Sequence, residues 1–198
     1  MNKNYYRMNH STNPYPTIFS IPLFCQKFSL NNENVKSFCL SRRDNDSGRV
    51  ISNVGGWQSN NFNMNKPPKE LKEIVKCIFD FSAEICDFLN IESTLSGNAW
   101  MNVNEHGNFN WSHTHPGSAL SGVYYVKTPD NCGNIEFENP SMSLMTNMKV
   151  KKYNVFNSSS LMVPSEEGTL YIFPSWLPHK VHPNLSNEER ISISFNLK

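Results

Sequence analysis

The sequence lacks the long apolar runs and the one-sided charge that would assign it to a membrane or to nucleic acid. No apolar stretch approaches the roughly 18 residues that a transmembrane helix needs. Lys and Arg number 18 against 17 Asp and Glu, which gives a formal net charge of +1. No basic field therefore predicts charge-driven binding to nucleic acid or to a lipid surface. A protein or peptide partner stays open.

The sequence also has no paired cysteine motif, and no signal peptide is expected in it. The chain has 5 cysteines, an odd number, and no C-x-x-C spacing, which favours free thiols in a reducing compartment. The N-terminal stretch MNKNYYRMNHSTNPYP is polar and has no apolar signal-peptide core. We therefore expect a cytoplasmic protein.

The composition is that of a folded domain. Hydrophobic residues make up 38% and aromatic residues 12% of the 198 residues, more than a disordered chain carries, and the length suits one sizeable core. We predict a single domain over residues 1–198, in which the asparagine-rich residues 1–16 form a loose N-terminal arm and residues 97–198 form the core.

The hydrophobic pattern predicts one helix and many short strands. Pro67 and Pro68 suit a helix start, and apolar residues then recur at helical spacing up to about Asn90. An edge strand is predicted at 17–24 and a loop with little regular structure at 41–59. From residue 98 the period changes to two, and strands are predicted at 98–104, 109–115, 119–127, 134–138, 152–156, 161–163, 168–173 and 189–197. This pattern indicates a mainly β sandwich or jelly roll with a flanking helix.

Two histidines stand at the head of one predicted strand, in 108-NFNWSHTHPGSALSGVYYV-126. Residues i and i+2 of a strand face the same side, so His113 and His115 would project together, about 6.5 Å apart at Cα. Two imidazoles so placed suit a metal ion. For this pair taken alone, two exposed histidines beside a Pro-Gly turn are the simpler interpretation.

A third histidine and an arginine lie near the C-terminus. His179 follows a strand and a proline-containing loop, and a hairpin would bring Arg190 beside the strand that carries His179. Along the last strand, Arg190 and Ser192 share the polar face. That face is either the solvent-exposed side of an ordinary half-buried strand or part of a barrel mouth, where a guanidinium and a hydroxyl bind a carboxylate.

Taken in order, the motifs H-x-H, H-x-V-x-P and R-x-S resemble those of the Fe(II)/2-oxoglutarate-dependent dioxygenases. More narrowly, HTHPGSALSGVYYV, FPSWLPHKVHPN and ERISISFN resemble a family of 2-oxoglutarate oxygenases found in phages and bacteria. The likeness covers about residues 97–198 and, more loosely, the segment GGWQS. It implies a double-stranded β-helix, the cupin-like jelly roll. It also implies an Fe(II)- and 2-oxoglutarate-dependent dioxygenase that hydroxylates a substrate and releases succinate and CO₂, in the host cytoplasm if phage-encoded.

The sequence departs from the superfamily pattern at one of the iron ligands. The superfamily carries Asp or Glu where this chain has His115, beside the ligands that correspond to His113 and His179. Either His115 completes a three-histidine site, or a later acid such as Glu136 or Glu138 substitutes for it. We prefer three histidines, because His115 has the right strand parity and the glutamates lie beyond another strand. Since free imidazole has a pKa near 6.5, metal affinity is expected to fall below about pH 6.

The same resemblance implies the residues that bind 2-oxoglutarate. Arg190 would anchor its distal carboxylate with the help of Ser192 and Tyr125, and Asn102 would reach it from a neighbouring strand. A small-molecule cosubstrate is thus the predicted partner, and the primary substrate stays open among a protein, a nucleobase and a metabolite. Arg42, Arg43 and Arg49, in the predicted loop, are most simply solvated, with contact to an acidic substrate as the alternative.

Two other functions fit the same residues. A non-catalytic jelly-roll module would use its histidines structurally and recognise a glycan or a virion partner. A three-histidine cupin oxygenase would keep iron and ignore 2-oxoglutarate. Loss of cosubstrate binding in an Arg190→Ala variant with an intact fold would favour the dioxygenase over the module.

Overall fold

The structure is a computed structural model that describes residues 20–92, 96–141 and 149–198. The predicted arm over residues 1–16 and the beginning of the predicted strand at 17–24 lie outside these residues. Among the described helices, none is long and apolar enough to cross a membrane.

Within the described residues, two α-helices accompany a series of short strands. The helices are α1 (Asn32–Asn45) and α2 (Lys72–Leu89), and α2 follows a 3-10 turn at Lys69–Leu71. The strands are β1 (Phe24–Lys27), β2 (Asn53–Val54), β3 (Trp57–Gln58), β4 (Phe62–Asn63), β5 (Gly97–Asn104), β6 (Phe109–His113), β7 (Leu120–Lys127), β8 (Ile135–Glu138), β9 (Ser160–Val163), β10 (Thr169–Pro174), β11 (His179–Val181) and β12 (Arg190–Leu197).

The strands form two antiparallel sheets. The larger sheet has the order β1-β10-β7-β12-β5-β3, with β4 also paired to β5, and the smaller sheet has the order β2-β6-β11-β8-β9. Residues of both sheets line one cavity, so the two layers face each other across it. This arrangement confirms the predicted mainly β jelly roll. Residues 97–198 supply every described strand except β1 to β4.

Side-chain parity divides the larger sheet into a face for the helices and a face for the cavity. Ile191 and Ile193 of β12 join the apolar core that includes Ile78 of α2. Arg190 and Ser192, their neighbours in sequence, line the cavity instead. Because successive side chains of a strand point to opposite faces, one strand serves both surfaces.

The predicted helix is confirmed as α2. Its apolar stripe is buried, with Ile78 fully enclosed and Ile74 nearly so. The helix ends at Leu89, where Asn90 adopts a left-handed conformation with φ 53° and its N–H donates to the Asp87 carbonyl at 3.1 Å. The predicted end near Asn90 therefore has a capping residue of the expected kind.

The loop predicted over residues 41–59 is wrong at its beginning, because α1 extends to Asn45. Only Asn32, Val35 and Cys39 of α1 are buried, so the apolar stripe is too narrow to indicate a helix. The rest of the segment contains β2 and β3, which are 2 residues each. Strands that short show no alternation in the sequence.

The observed strands differ from the predicted ones in three places. Residues 152–156 form bends and a turn, in which the side chain of Asn154 accepts the N–H of Phe156, and the apolar Tyr153 is 70% exposed. Strand β11 was not predicted, because its three residues follow two prolines closely. The first described strand, β1, begins at Phe24, near where the strand predicted at 17–24 was expected to end.

Candidate functional site

A cavity of about 400 Å³ lies between the two sheets. Its walls hold all the residues that the sequence suggested for metal and cosubstrate binding, namely His113, His115, His179, Arg190, Ser192, Tyr125 and Asn102. None of the described residues that line it is Asp or Glu. The lining charges are therefore positive, from Arg49 and Arg190.

Three histidines converge on one wall of this cavity. The centres of their rings lie 4.4 Å (His113–His179), 5.0 Å (His113–His115) and 5.1 Å (His115–His179) apart. One ring nitrogen from each histidine lies within 4.8 Å of the others, and the Nε2 atoms of His115 and His179 are 3.3 Å apart. The structure thus brings together the three histidines predicted from two distant motifs.

Strand register and one loop place the histidines. His113 ends β6 and His179 begins β11, and the two are directly paired across the smaller sheet. His115 lies past the end of β6, so the strand predicted at 109–115 is two residues too long. The backbone N–H of His115 donates to the Ser175 carbonyl at 2.9 Å, which fixes the loop beside the strands.

Backbone carbonyls set the tautomers of two of the histidines. Nδ1 of His113 lies 2.7 Å from the Trp111 carbonyl oxygen, and Nδ1 of His179 lies 2.9 Å from that of Leu177. A carbonyl only accepts hydrogen bonds, so each Nδ1 carries the hydrogen and each Nε2 presents a lone pair. Such bonds are the usual means of orienting metal-binding imidazoles.

Burial keeps the three imidazoles uncharged. It lowers the pKa of His179 to about 3 and that of His115 to about 4, and repulsion from a protonated His113 lowers both in the same direction. Burial also lowers the pKa of His113. Neutral imidazole is the form that binds metal. Three convergent neutral nitrogens fit a divalent transition-metal ion such as Fe(II).

The two glutamates considered as substitutes are occupied elsewhere. Glu136 accepts from Nε2 of His182 at 2.6 Å and pairs with Lys180 at 3.4 Å. Glu138 accepts from the Ser112 hydroxyl at 2.8 Å. Neither belongs to the group of convergent ligand atoms found in the described part of the chain.

Arg190 is buried in the cavity wall with an incomplete set of partners. The side chain is 1% exposed, and its Nη1 donates to the carbonyls of Cys132, of Gly133 at 3.4 Å and of His182 at 3.1 Å. Its Nη2 has no partner among the described residues. Burial lowers the pKa of Arg190, as expected for a cation without an anionic partner. A buried unpaired charge is costly, so this nitrogen fits a ligand oxyanion.

The other predicted cosubstrate residues surround Arg190 on the larger sheet. Ser192 is paired in register with Asn102 on one side and Tyr125 on the other. The Asn102 side chain donates to the hydroxyl of Ser194 at 3.0 Å and to that of Ser192 at 3.4 Å. Burial raises the pKa of Tyr125, and the positive charge of Arg190 opposes that rise. These residues form one polar wall.

Arg49 lines the same cavity, although the sequence most simply indicated a solvated loop residue. Its guanidinium carbon lies 5.9 Å from the ring centre of Trp100, and the Trp100 ring lies 5.8 Å from that of His115. The pairing of β3 with β5 carries this segment over the cavity. The only sequence signal for that pairing is the Gly55–Gly56 turn, where Gly55 has φ 77°.

Comparison with known proteins points to one family. The profile of a family described as "Putative 2OG-Fe(II) oxygenase" matches residues 98–196. No curated protein matches the chain. The crystal structure of a Pseudomonas putida prolyl-4-hydroxylase resembles this one with a TM-score of 0.65 at 15% identity, covering 90% of this chain and 93% of that chain.

Two further solved structures share the fold. A prolyl hydroxylase from Trichoplax adhaerens, in complex with a hypoxia-inducible factor peptide, gives a TM-score of 0.61 at 14% identity, covering 88% of this chain and 82% of that chain. A viral collagen prolyl hydroxylase from Paramecium bursaria Chlorella virus-1 gives 0.59 at 14% identity, covering 88% and 94%. At these identities the likeness confirms the jelly-roll fold.

Proposed function

This chain belongs to the 2OG-Fe(II) oxygenase family, 2OG being 2-oxoglutarate, and from that membership we propose that it hydroxylates an organic substrate. It is an enzyme whose cofactors are Fe(II) and 2-oxoglutarate. In the proposed reaction, one atom of O₂ converts a C–H bond of the substrate to C–OH. The other atom enters succinate as 2-oxoglutarate loses CO₂. When bound, the iron supplies the redox centre for O₂ and a template for the reactants.

We assign the iron to His113, His115 and His179. Their nitrogens converge, and burial keeps them neutral. Three neutral ligands would leave the +2 charge of the ion intact, whereas the usual triad with one carboxylate leaves +1. A dianionic 2-oxoglutarate would then neutralise the site, so the histidine in place of the carboxylate favours cosubstrate binding.

The unpaired Nη2 of Arg190 is the single observation that supports cosubstrate binding most strongly. It lies in the wall of the same cavity as the three histidines, and it is buried without a partner among the described residues. The distal carboxylate of 2-oxoglutarate would accept a charge-assisted hydrogen bond from it. The hydroxyls of Ser192 and Tyr125 would add donors to that carboxylate.

The rest of the cavity wall would position the cosubstrate and exclude water. Asn102 is tied to the serines of β12, so its carboxamide is held in a fixed orientation facing the cavity. Val123, Ile135 and Phe173 supply an apolar section of the lining. An apolar lining strengthens the polar interactions beside it because it keeps competing water away.

Succinate release tests the proposal. Purified protein given Fe(II), 2-oxoglutarate and O₂ is expected to form succinate above the protein-free rate, and His179→Ala is expected to abolish it by removing one ligand. His106→Ala is the matched control, because His106 is exposed in a turn and its Nδ1 contacts the Ser186 carbonyl. Wild-type protein that neither forms succinate nor binds 2-oxoglutarate in calorimetry would contradict the proposal.

Of the two alternative functions, the three-histidine oxygenase remains compatible with the three convergent histidine nitrogens. A three-histidine oxygenase that ignores 2-oxoglutarate would use the same metal ligands, but it has no use for the unpaired guanidinium nitrogen of Arg190. Metal-dependent O₂ consumption without any binding of 2-oxoglutarate would favour that alternative. The non-catalytic module is set aside, because the family is one of enzymes.

A further inference from the structure

We propose that the primary substrate carries an oxyanion, a carboxylate or a phosphate, which Arg49 binds at the opening of the cavity. Trp100 would form the surface along which the substrate extends from that anion to the metal site. This inference rests on the proposed function, because it assigns the histidine cluster to the metal and Arg190 to 2-oxoglutarate.

Neutral side chains hold Arg49 in a defined position. With the amide oxygen of Gln58 turned toward the arginine, that oxygen accepts from Nη2 at 3.1 Å and from Nε at 3.2 Å. Gln58 is 4% exposed, so this support is rigidly packed. The side chain of Asn61 accepts from Nη2 as well. The guanidinium is thus preorganised by groups that do not neutralise its charge.

Arg49 also lacks an anionic partner in the described part of the chain. Its neighbours in sequence differ, since Arg42 pairs with Asp46 at 3.7 Å and Arg43 with Glu105 at 3.1 Å. No Asp or Glu is among the described residues that line the cavity. Burial lowers the pKa of Arg49, the direction expected of a partly desolvated cation without a counter-charge.

A count of charges indicates what the cavity would bind next. The metal ion would bring two positive charges and Arg190 one, and 2-oxoglutarate would bring two negative charges. Arg49 adds a further positive charge that no described lining residue offsets. A substrate with an anionic group would therefore be favoured, and a cationic substrate would be repelled.

The rings beside Arg49 indicate where the rest of the substrate lies. Trp100 lies close to both Arg49 and His115, with its ring centre 5.9 Å from the guanidinium carbon and 5.8 Å from the imidazole centre. Trp111 and Ile51 line the same cavity and are 64% and 70% exposed. A substrate with an apolar body and one anionic end matches this opening.

Anaerobic calorimetry with two probes that differ by one charge tests the inference. The protein is loaded with Fe(II) and saturating 2-oxoglutarate, and then titrated with N-acetyl-leucine or with its neutral analogue N-acetyl-leucinamide. Wild-type protein is expected to prefer the carboxylate by roughly tenfold or more, as for a charge-assisted hydrogen bond. Arg49→Gln is expected to bring that ratio to about one, and Arg49→Lys to restore part of it.

Arg42→Gln is the matched control, because it removes the same charge from an arginine that pairs with Asp46 outside the cavity. It is expected to keep the full preference. Inorganic phosphate is a third probe. Tighter binding of phosphate than of N-acetyl-leucine, with the same dependence on Arg49, would identify a phosphate as the oxyanion.

Three results would overturn the inference. They are equal affinity of the wild type for the two leucine probes, a preference that persists in Arg49→Gln, and no binding of either anion at about 10 mM, where a millimolar site would fill. The affinity for 2-oxoglutarate is measured first on each protein. Its absence counts against the proposed function, whereas its presence without selectivity between the probes counts against the Arg49 site alone.

Discussion

The two terminal nitrogens of the Arg190 guanidinium differ in their hydrogen-bond partners. Nη1 ties β12 to the carbonyls that precede β8 and follow β11, whereas Nη2 is buried without a partner among the described residues. A substitution that keeps the charge and the reach to the carbonyls, but loses the second donor, should therefore affect ligand binding more than folding.

Arg190→Lys is expected to weaken 2-oxoglutarate binding by roughly 10- to 100-fold, the value of a hydrogen bond between charged groups. Calorimetry on metal-loaded protein measures the effect. Metal affinity of the same variant should stay close to the wild-type value, which shows that the fold is intact. Arg42→Lys is the control on an exposed arginine. Unchanged affinity for 2-oxoglutarate in Arg190→Lys would place the distal carboxylate elsewhere.

The buried histidines revise the pH dependence expected from the sequence. Three ordinary imidazoles with a pKa near 6.5 would lose roughly 10⁴-fold in metal affinity between pH 7 and pH 5 through proton competition. Because the pKa of His179 is lowered to about 3 and that of His115 to about 4, these two remain neutral over that range. His113, whose pKa is also lowered, limits the loss to less than about 30-fold.

Competition with a chelator for Fe(II) at pH 7, 6 and 5 measures that dependence. Metal affinity must fall as the pH falls, because protons then compete for imidazoles that bind metal only when neutral. A lowered pKa shifts that competition to more acidic conditions. A loss near 10⁴-fold would mean that the imidazoles behave as if exposed to water.

Among the elements, β7 has to approach two neighbouring strands closely. Gly122 is paired with Phe195 of β12 and with Ile172 of β10, and a Cβ at this position would overlap the Phe195 ring and the Tyr171 carbonyl oxygen. Both obstacles lie inside the larger sheet, so there is little room for the added methyl group.

Gly122→Ala is therefore expected to lower the free energy of unfolding by about 1–3 kcal/mol, the usual cost of overpacking. Urea denaturation measures it. Gly107→Ala is the control, since an added Cβ there meets nothing within 4 Å and only the positive φ of 80° is unfavourable, at about 1 kcal/mol. Equal losses in the two variants would show that the close approach at Gly122 relaxes freely.

The elements also differ in how far the sequence predicted them. Long strands such as β5, β7 and β12 were placed within a residue, and the end of the amphipathic α2 likewise, because each carries a full period of buried side chains. The start of α2 was predicted at Pro67–Pro68, but a 3-10 turn intervenes and the α-helix begins at Lys72. Helix α1 and the two-residue strands β2 to β4 left no such signal. They are specified by tertiary contacts, which a local pattern does not contain.

The candidate site shows the same contrast. The order of the motifs in the sequence was the basis for predicting that His113 and His179 lie together. In the structure the two residues are paired directly on neighbouring strands. The location of Arg49 depends on β3 reaching β5 from a segment with no regular period. Nothing local to residue 49 distinguishes it from its solvated neighbours.

At the scale of the whole molecule, the candidate site joins the two sheets. His113 and His179 belong to the smaller sheet and Arg190 to the larger. A 2-oxoglutarate molecule bound to both would link the layers, so its binding energy would add to the stability of the whole fold.

Thermal unfolding under anaerobic conditions tests this link. Fe(II) with 2-oxoglutarate at about 100 times its dissociation constant should add about 2.7 kcal/mol beyond the metal alone, which is roughly 5–10 °C in Tm for a domain of this size. Arg190→Lys should lose most of the 2-oxoglutarate increment and keep that of the metal. An equal increment from 2-oxoglutarate without any metal would mean that it does not join the layers.

Strand β12 presents Ile191 and Ile193 to the helices and Arg190 and Ser192 to the cavity. The same strand thus contributes to the apolar core and to the lining of the cavity, and no other layer of structure separates the two. Engineers who wish to redirect the enzyme should leave that strand alone. The exposed lining residues Ile51 and Trp111 are the positions to diversify, because they line the opening of the cavity and lie outside the apolar core.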